Sequence, residues 1–305
     1  MLIFRAFSFA TVGVCIIMFY LQLQQHDFDV NYLFGQGFGN FRFGQANTTA
    51  VNFGLNFNPN RLGFICNLSI AGILQLIDRK ERSFFDFVLL LLSAIFGFMT
   101  LSRSYAITLL FIVLFYILTI KGSLKQRVKY VIYTLSSIVL ILLVINKLTP
   151  NIFHNLLSRF IEDDLLGGRD KLFVFYNEHI FSSIDRFFFG IGLQDFQGKI
   201  LAIHNVEINV PHNGIQEIWV AWGLIGTVLF IFMLLSLVKI AKKLQPKPDK
   251  RQFLLLGILL FYSMSGQLIR SEIALLSLTV IYVSLCRNTI SEKLKVEVNN
   301  LGERT

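Results

Sequence analysis

Residues 84–120 read FFDFVLLLLSAIFGFMTLSRSYAITLLFIVLFYILTI. Two apolar runs, about 84–101 and 104–120, flank the tight polar turn Ser102-Arg103-Ser104. Neither run alternates polar and apolar residues, so the ~10-residue alternating segments of a membrane β-barrel are absent. In hydrocarbon an irregular lipid-facing backbone or an open sheet edge leaves polar groups unsatisfied, which makes two helices the default. Each run is near the short limit for a helix crossing a ~30 Å core, so flanking residues must help.

The same signal recurs along the chain. Apolar runs at about 2–21, 62–77, 130–146, 216–238, 253–269 and 273–286 bring the expected spans to eight. The 305 residues are 54% hydrophobic, 15% charged and have a mean hydropathy of +0.61, an unusual balance for a surface that faces water. Residues 2–21 are long and lack a small-residue cleavage site, so they read as a first span. Cys15, Cys66 and Cys286 all fall inside apolar stretches and read as small buried residues, with no disulfide framework.

The net charge of +9 matters through its placement. With the N-terminus inside, eighteen of the 28 basic residues fall in short inside segments, including Arg5, Lys121, Lys125, Arg127 and Lys129 before the fifth span and Lys239, Lys242 and Lys243 after the sixth. The positive-inside rule then puts both termini in the cytoplasm. The basic clusters read as solvated anchors, and nothing in them points to nucleic acid. The organisation expected is a membrane region over 1–146 with an external segment at 22–61, a large extracytoplasmic loop at 147–215, three spans over 216–286 and a cytoplasmic tail at 287–305. The fold class expected is all-α integral membrane, with about eight transmembrane helices and amphipathic helices in the loop.

A loop as long as 147–215 is uncommon without a function. Within it, Leu172, Phe173, Phe175, Tyr176, Ile180, Phe181 and Ile184 recur at roughly helical spacing, which predicts an amphipathic helix over 170–184. All five histidines, His26, His154, His179, His204 and His212, map outside, four of them in this loop. Histidine is the usual proton-transfer residue near neutral pH. Arg42, Arg61, Arg103, Arg159, Arg169, Arg186 and Arg270 also lie outside or at the outer rim. Arginine grips phosphate with two parallel bonds and keeps its charge, as a site for a lipid-linked pyrophosphate requires. Zincin, nucleophile-elbow and P-loop motifs are absent, and the spacing of His204 and His212 carries no acidic ligand pattern, so no metal is expected.

Several short motifs stand in a telling order. Asn58-Pro59-Asn60-Arg61-Leu62-Gly63 follows Arg42 and begins a span; Ser102-Arg103 makes the tight turn. Gly168-Arg169-Asp170, Phe189-Gly190-Ile191-Gly192, His212-Asn213 with Glu217, and Gly223-Leu224-Ile225-Gly226 follow. This series, over about residues 40–235, resembles the O-antigen ligase/polymerase family. The family usually has more spans before its first motif, whereas one precedes it here, so the chain reads as a shortened member or as one with a late start.

The resemblance implies a membrane glycosyltransferase-like enzyme of the outer face of the bacterial cytoplasmic membrane. It would take its glycan from undecaprenyl pyrophosphate and need neither metal nor other cofactor. On this pattern His212 is the candidate base for the acceptor hydroxyl, and Glu217 orients His212 or contacts sugar. Arg169, Arg103 and Arg42 hold the pyrophosphate. The expected activity is polymerisation of a surface polysaccharide such as O-antigen, capsule or exopolysaccharide. A ligase moving finished glycan to a lipid or wall acceptor is the alternative. Expected partners are the lipid-linked oligosaccharide, the bilayer, a chain-length regulator and a flippase. A transporter or flippase is a competing class, but it predicts ionisable residues at mid-span. Here Asp86, Glu217, Arg270 and Glu272 all lie near span ends. An inactive, truncated relative acting as a scaffold is the last alternative.

Overall fold

The structure is a computed structural model. It describes residues 2–28 except 26, 59–78, 83–119 except 101, scattered positions between 123 and 147, then 169–205, 211, 213–244 and 253–263. The expected span 273–286 lies outside the described residues, as do most of 130–146, of the external segment 22–61 and of the loop before 169. Among the described residues every regular element is helical and no strand is present. The chain divides into two compact units, Met1–Gly167 and Gly168–Thr305.

The first unit holds α1 (Leu2–Gln25), α2 (Pro59–Asp78), α3 (Phe84–Met99) and α4 (Arg103–Thr119). Helix α2 is its axis: it packs against α1, α3 and α4 and is buried continuously from Leu62 to Ile73. Its polar side chains are tolerated because protein surrounds them and supplies partners. The Asn67 amide donates to the Tyr105 carbonyl at 3.1 Å, and the Ser69 and Ser93 hydroxyls lie 2.8 Å apart. Pro59 opens the helix, where its missing N–H costs nothing.

Arg5 ties α1 to α3. Its Nε and Nη2 reach the two carboxylate oxygens of Asp86 at 2.8 and 2.7 Å, while the Ser83 N–H donates to the same carboxylate. The starts of α1 and α3 therefore lie together, and the starts of α2 and α4 meet at the opposite end through Asn60 and Ser102. These four helices alternate in direction. The outer faces are apolar: Ile16, Ile17, Leu91, Ile95, Leu110 and Leu118 are all exposed. Water does not tolerate such continuous apolar faces, and lipid does.

The second unit holds α5 (Arg169–Phe181), α6 (Ile184–Phe189), α7 (Phe196–His204), α8 (Gly214–Leu244) and α9 (Leu254–Ser263). The expected helix over 170–184 is present as α5 but stops at Phe181. Its apolar residues are not confined to one face: Tyr176 and Ile180 are buried, whereas Phe173, Val174 and Phe181 are exposed. Among the described residues two helices, α1 and α8, are long and apolar enough to cross a membrane, and α3, α4 and α9 are shorter apolar helices.

The span read at 216–238 is broken. At Gly223 the backbone takes φ 65°, ψ −170°, which divides α8 into 214–222 and 224–244. At 1.5 Å per residue the second piece is about 31 Å long, enough for the ~30 Å hydrocarbon core on its own. The piece 214–222 instead packs with α5 and α6.

Candidate active site

Helix α8 begins where the HN motif ends. The Asn213 side-chain oxygen accepts the N–H groups of Ile215 (3.0 Å) and Gln216 (3.2 Å), and its carbonyl accepts the Glu217 N–H at 2.8 Å. This is an N-cap, the reason a short amide suits the position. Glu217 stands in the first turn and is 1% exposed.

One turn beyond the motif, Gln216 joins α8 to α5. Its side-chain nitrogen donates to the Phe173 carbonyl at 2.8 Å and to Asn177 Oδ1 at 2.9 Å. Further along both helices the Phe181 and Trp219 rings lie 6.1 Å apart, and Tyr176 and Ile180 share an apolar cluster with Val220. Contacts that advance together along two helices mean that α5 and 214–222 run side by side in the same direction. Their N-terminal ends therefore lie at the same end of the pair. Arg169 is the first residue of α5.

The break at Gly223 is closed by the GxG turn. The Val220 and Ala221 carbonyls lose helical partners there and accept the N–H groups of Ile191 (2.9 Å) and Gly192 (2.7 Å). A Cβ on Gly223 would strike the Phe188 backbone, and one on Gly190 would lie 2.6 Å from the Ala221 carbonyl carbon. The Trp219 indole N–H adds a bond to the Phe187 carbonyl at 3.1 Å. Two motifs far apart in sequence thus form one joint that holds α6 against α8.

A histidine pair lies beside this joint. His179 Nδ1 and His204 Nε2 are 2.7 Å apart, so one donates and the other accepts. His179 is 1% exposed. Burial pushes its pKa down to about 4, and the proximity of Arg186 and His204 pushes the same way. The imidazole is neutral at ordinary pH. Counting histidines in the loop found both residues but could not pair them, because His204 ends α7, a helix whose place in the unit no spacing gives.

In the first unit, Arg103 is the first residue of α4 and is half-buried. The turn before it is held by the Ser102 hydroxyl, which donates to Asn60 Oδ1 at 2.8 Å and accepts the Tyr105 N–H at 3.3 Å. The NPN and SR motifs are therefore one corner, with Arg61 beside Asn60 on α2. Arg42 and His212 lie outside the described residues, as does the side chain of Arg169. Among the described residues no group of three or more His, Cys, Asp or Glu side chains is placed to hold a metal ion.

Residues 88–231 match a protein-family model described as O-Antigen ligase. The matched segment contains Arg103, Arg169, Gly190, His212, Glu217 and Gly223, and excludes Arg42 and the NPN motif. No curated protein and no solved structure matches the chain.

Proposed function

We propose, for a chain whose residues 88–231 match the O-antigen ligase family model, that it polymerises a surface polysaccharide on the outer face of a bacterial cytoplasmic membrane. The observation that carries the reading is the parallel pairing of α5 with 214–222. It brings the start of the helix that opens with Arg169 to the same end as the start of the helix that follows His212. Helix N-termini carry partial positive charge and favour anions, and a guanidinium adds a full charge. That combination suits a pyrophosphate leaving group.

The chemistry is a displacement at the anomeric carbon. An acceptor sugar hydroxyl attacks that carbon, and His212 takes the hydroxyl proton. The bond from the anomeric carbon to the pyrophosphate oxygen breaks, and undecaprenyl pyrophosphate leaves with the electron pair. Arg169 stabilises the charge developing on it. Glu217, buried one turn past His212, orients the imidazole or receives sugar hydroxyls. Arg103 and Arg42 are further phosphate-holding candidates on motif order. No step in this scheme uses a metal.

The family description favours a second reading, a ligase that moves finished glycan to a lipid or wall acceptor. Glycan profiling separates the two in a deletion strain complemented with wild type, His212→Ala or Arg169→Ala at matched protein levels. The polymerase reading expects a ladder of long chains from wild type and single lipid-linked units from both variants. Long polymer stranded on undecaprenyl pyrophosphate in the deletion would identify a ligase. Full complementation by both variants would remove the site.

A further inference from the structure

We infer that Gln216 is a positioning residue for the transfer reaction, a clamp that sets the distance between the start of α5 and the start of α8; this rests on the reading of Arg169 and His212 just given. Gln216 is 5% exposed, and both hydrogens of its side-chain amide are used. The Phe173 carbonyl can only accept, so the atom facing it must be nitrogen, and Asn177 Oδ1 then takes the second hydrogen. Phe173 and Asn177 are one helical turn apart on α5, so the amide spans a single rung of that helix.

Phe173 lies four residues after Arg169, and Gln216 lies four residues after His212. A clamp one turn from each fixes both rotation and sliding of the two helices near the groups that must cooperate. The apolar contacts of Tyr176, Ile180 and Val220 lie further along and resist separation, but apolar packing is non-directional and does not fix register. The Gln216 amide supplies two directional bonds between α5 and α8. A misplacement of ~1 Å between reacting groups costs on the order of 10²-fold in rate. The glutamine should therefore act on turnover rather than on substrate capture.

The test uses the purified full-length chain and the lipid-linked glycan extracted from cells that lack it. Gln216→Met keeps the shape and removes both donors. The expected result is a kcat lower by about 10- to 100-fold, with KM within about twofold of wild type. Asn177→Leu should give a smaller loss in the same direction, and should cost little more when added to Gln216→Met. Asn177→Asp, which keeps an acceptor, should restore kcat to within about twofold of wild type. If Gln216→Met does not fold, the two Asn177 variants carry the test. The clamp is overturned if the folded variants keep wild-type kcat, or lose only KM, while Arg169→Ala and His212→Ala are inactive. Should those last two stay active, the reading of the site fails first, and the clamp falls with it.

Discussion

Gly190 and Gly223 lie backbone against backbone: a Cβ on Gly190 would sit 2.6 Å from the Gly223 nitrogen, and one on Gly223 would strike the backbone of Phe188 and Phe189 just before Gly190. Both have positive φ, 70° and 65°, with ψ near −165° and −170°. Only glycine occupies that region at low cost. The joint lets α8 end one helix and begin another while its stranded carbonyls stay paired with Ile191 and Gly192.

Gly223→Ala should therefore be among the most damaging small substitutions in the chain. Backbone strain alone is on the order of 1–3 kcal/mol, and the Phe188 backbone cannot swing away as a flexible side chain would. Gly13→Ala is the control, because a Cβ there meets nothing within 4 Å and alanine favours a helix. Thermal unfolding in detergent should show a large drop for the first and none for the second. Equal midpoints would mean that the joint does not form.

Arg5 and Asp86 give a second stability test. Asp86 is fully buried and its carboxylate receives both guanidinium bonds. Arg5→Ala would leave that carboxylate without its cation; because Arg5 is itself partly exposed and solvent can reach the space it vacates, the cost is about 1–3 kcal/mol. The double change Arg5→Ala with Asp86→Ala should cost less than the two single changes added together. Strict additivity in unfolding midpoints would show that the pair is not formed in the membrane-embedded protein.

These relationships mark the limit of what the sequence made legible. The hydropathy runs located α1 to α4 to within a few residues, because a helix in lipid must be apolar over its length. The motif order found both glycine motifs and Arg169, and the apolar spacing placed the start of α5 within one residue. It did not show that Gly190 and Gly223 touch, since that depends on how the chain returns after α6. Arg5 was legible only as an inside charge and Asp86 only as an acid near a span end. Gln216 passed unnoticed, since a lone glutamine near a helix start carries no pattern until its acceptors on α5 are placed. The break in α8 was also hidden, because 214–222 is apolar enough to look like the first turns of a span.

His179 makes stability fall on the acid side. The folded-state pKa is about 4, against roughly 6.5 for an unfolded histidine. Between those values the unfolded chain binds more protons, so stability drops as pH falls through roughly 6.5 and the loss is complete below about 4. The full effect is on the order of 3 kcal/mol. His179→Leu should flatten the pH dependence of the unfolding midpoint between pH 7 and 4.5. An unchanged slope in that variant would assign the acid sensitivity to other groups.

The two residues of the HN motif should separate cleanly. Asn213 caps α8 through the Ile215 and Gln216 N–H groups, so Asn213→Ala should cost about 1 kcal/mol of stability, and Asn213→Asp or Asn213→Ser should recover most of it. His212→Ala should leave the unfolding midpoint near wild type and abolish transfer, because its proposed task is taking a proton. Paired measurements of midpoint and turnover on purified protein decide the matter. If Asn213→Ala loses turnover with no change in midpoint, the asparagine contacts substrate and the capping role is not its main one. Loss of midpoint in His212→Ala would instead make the histidine part of the packing at the start of α8.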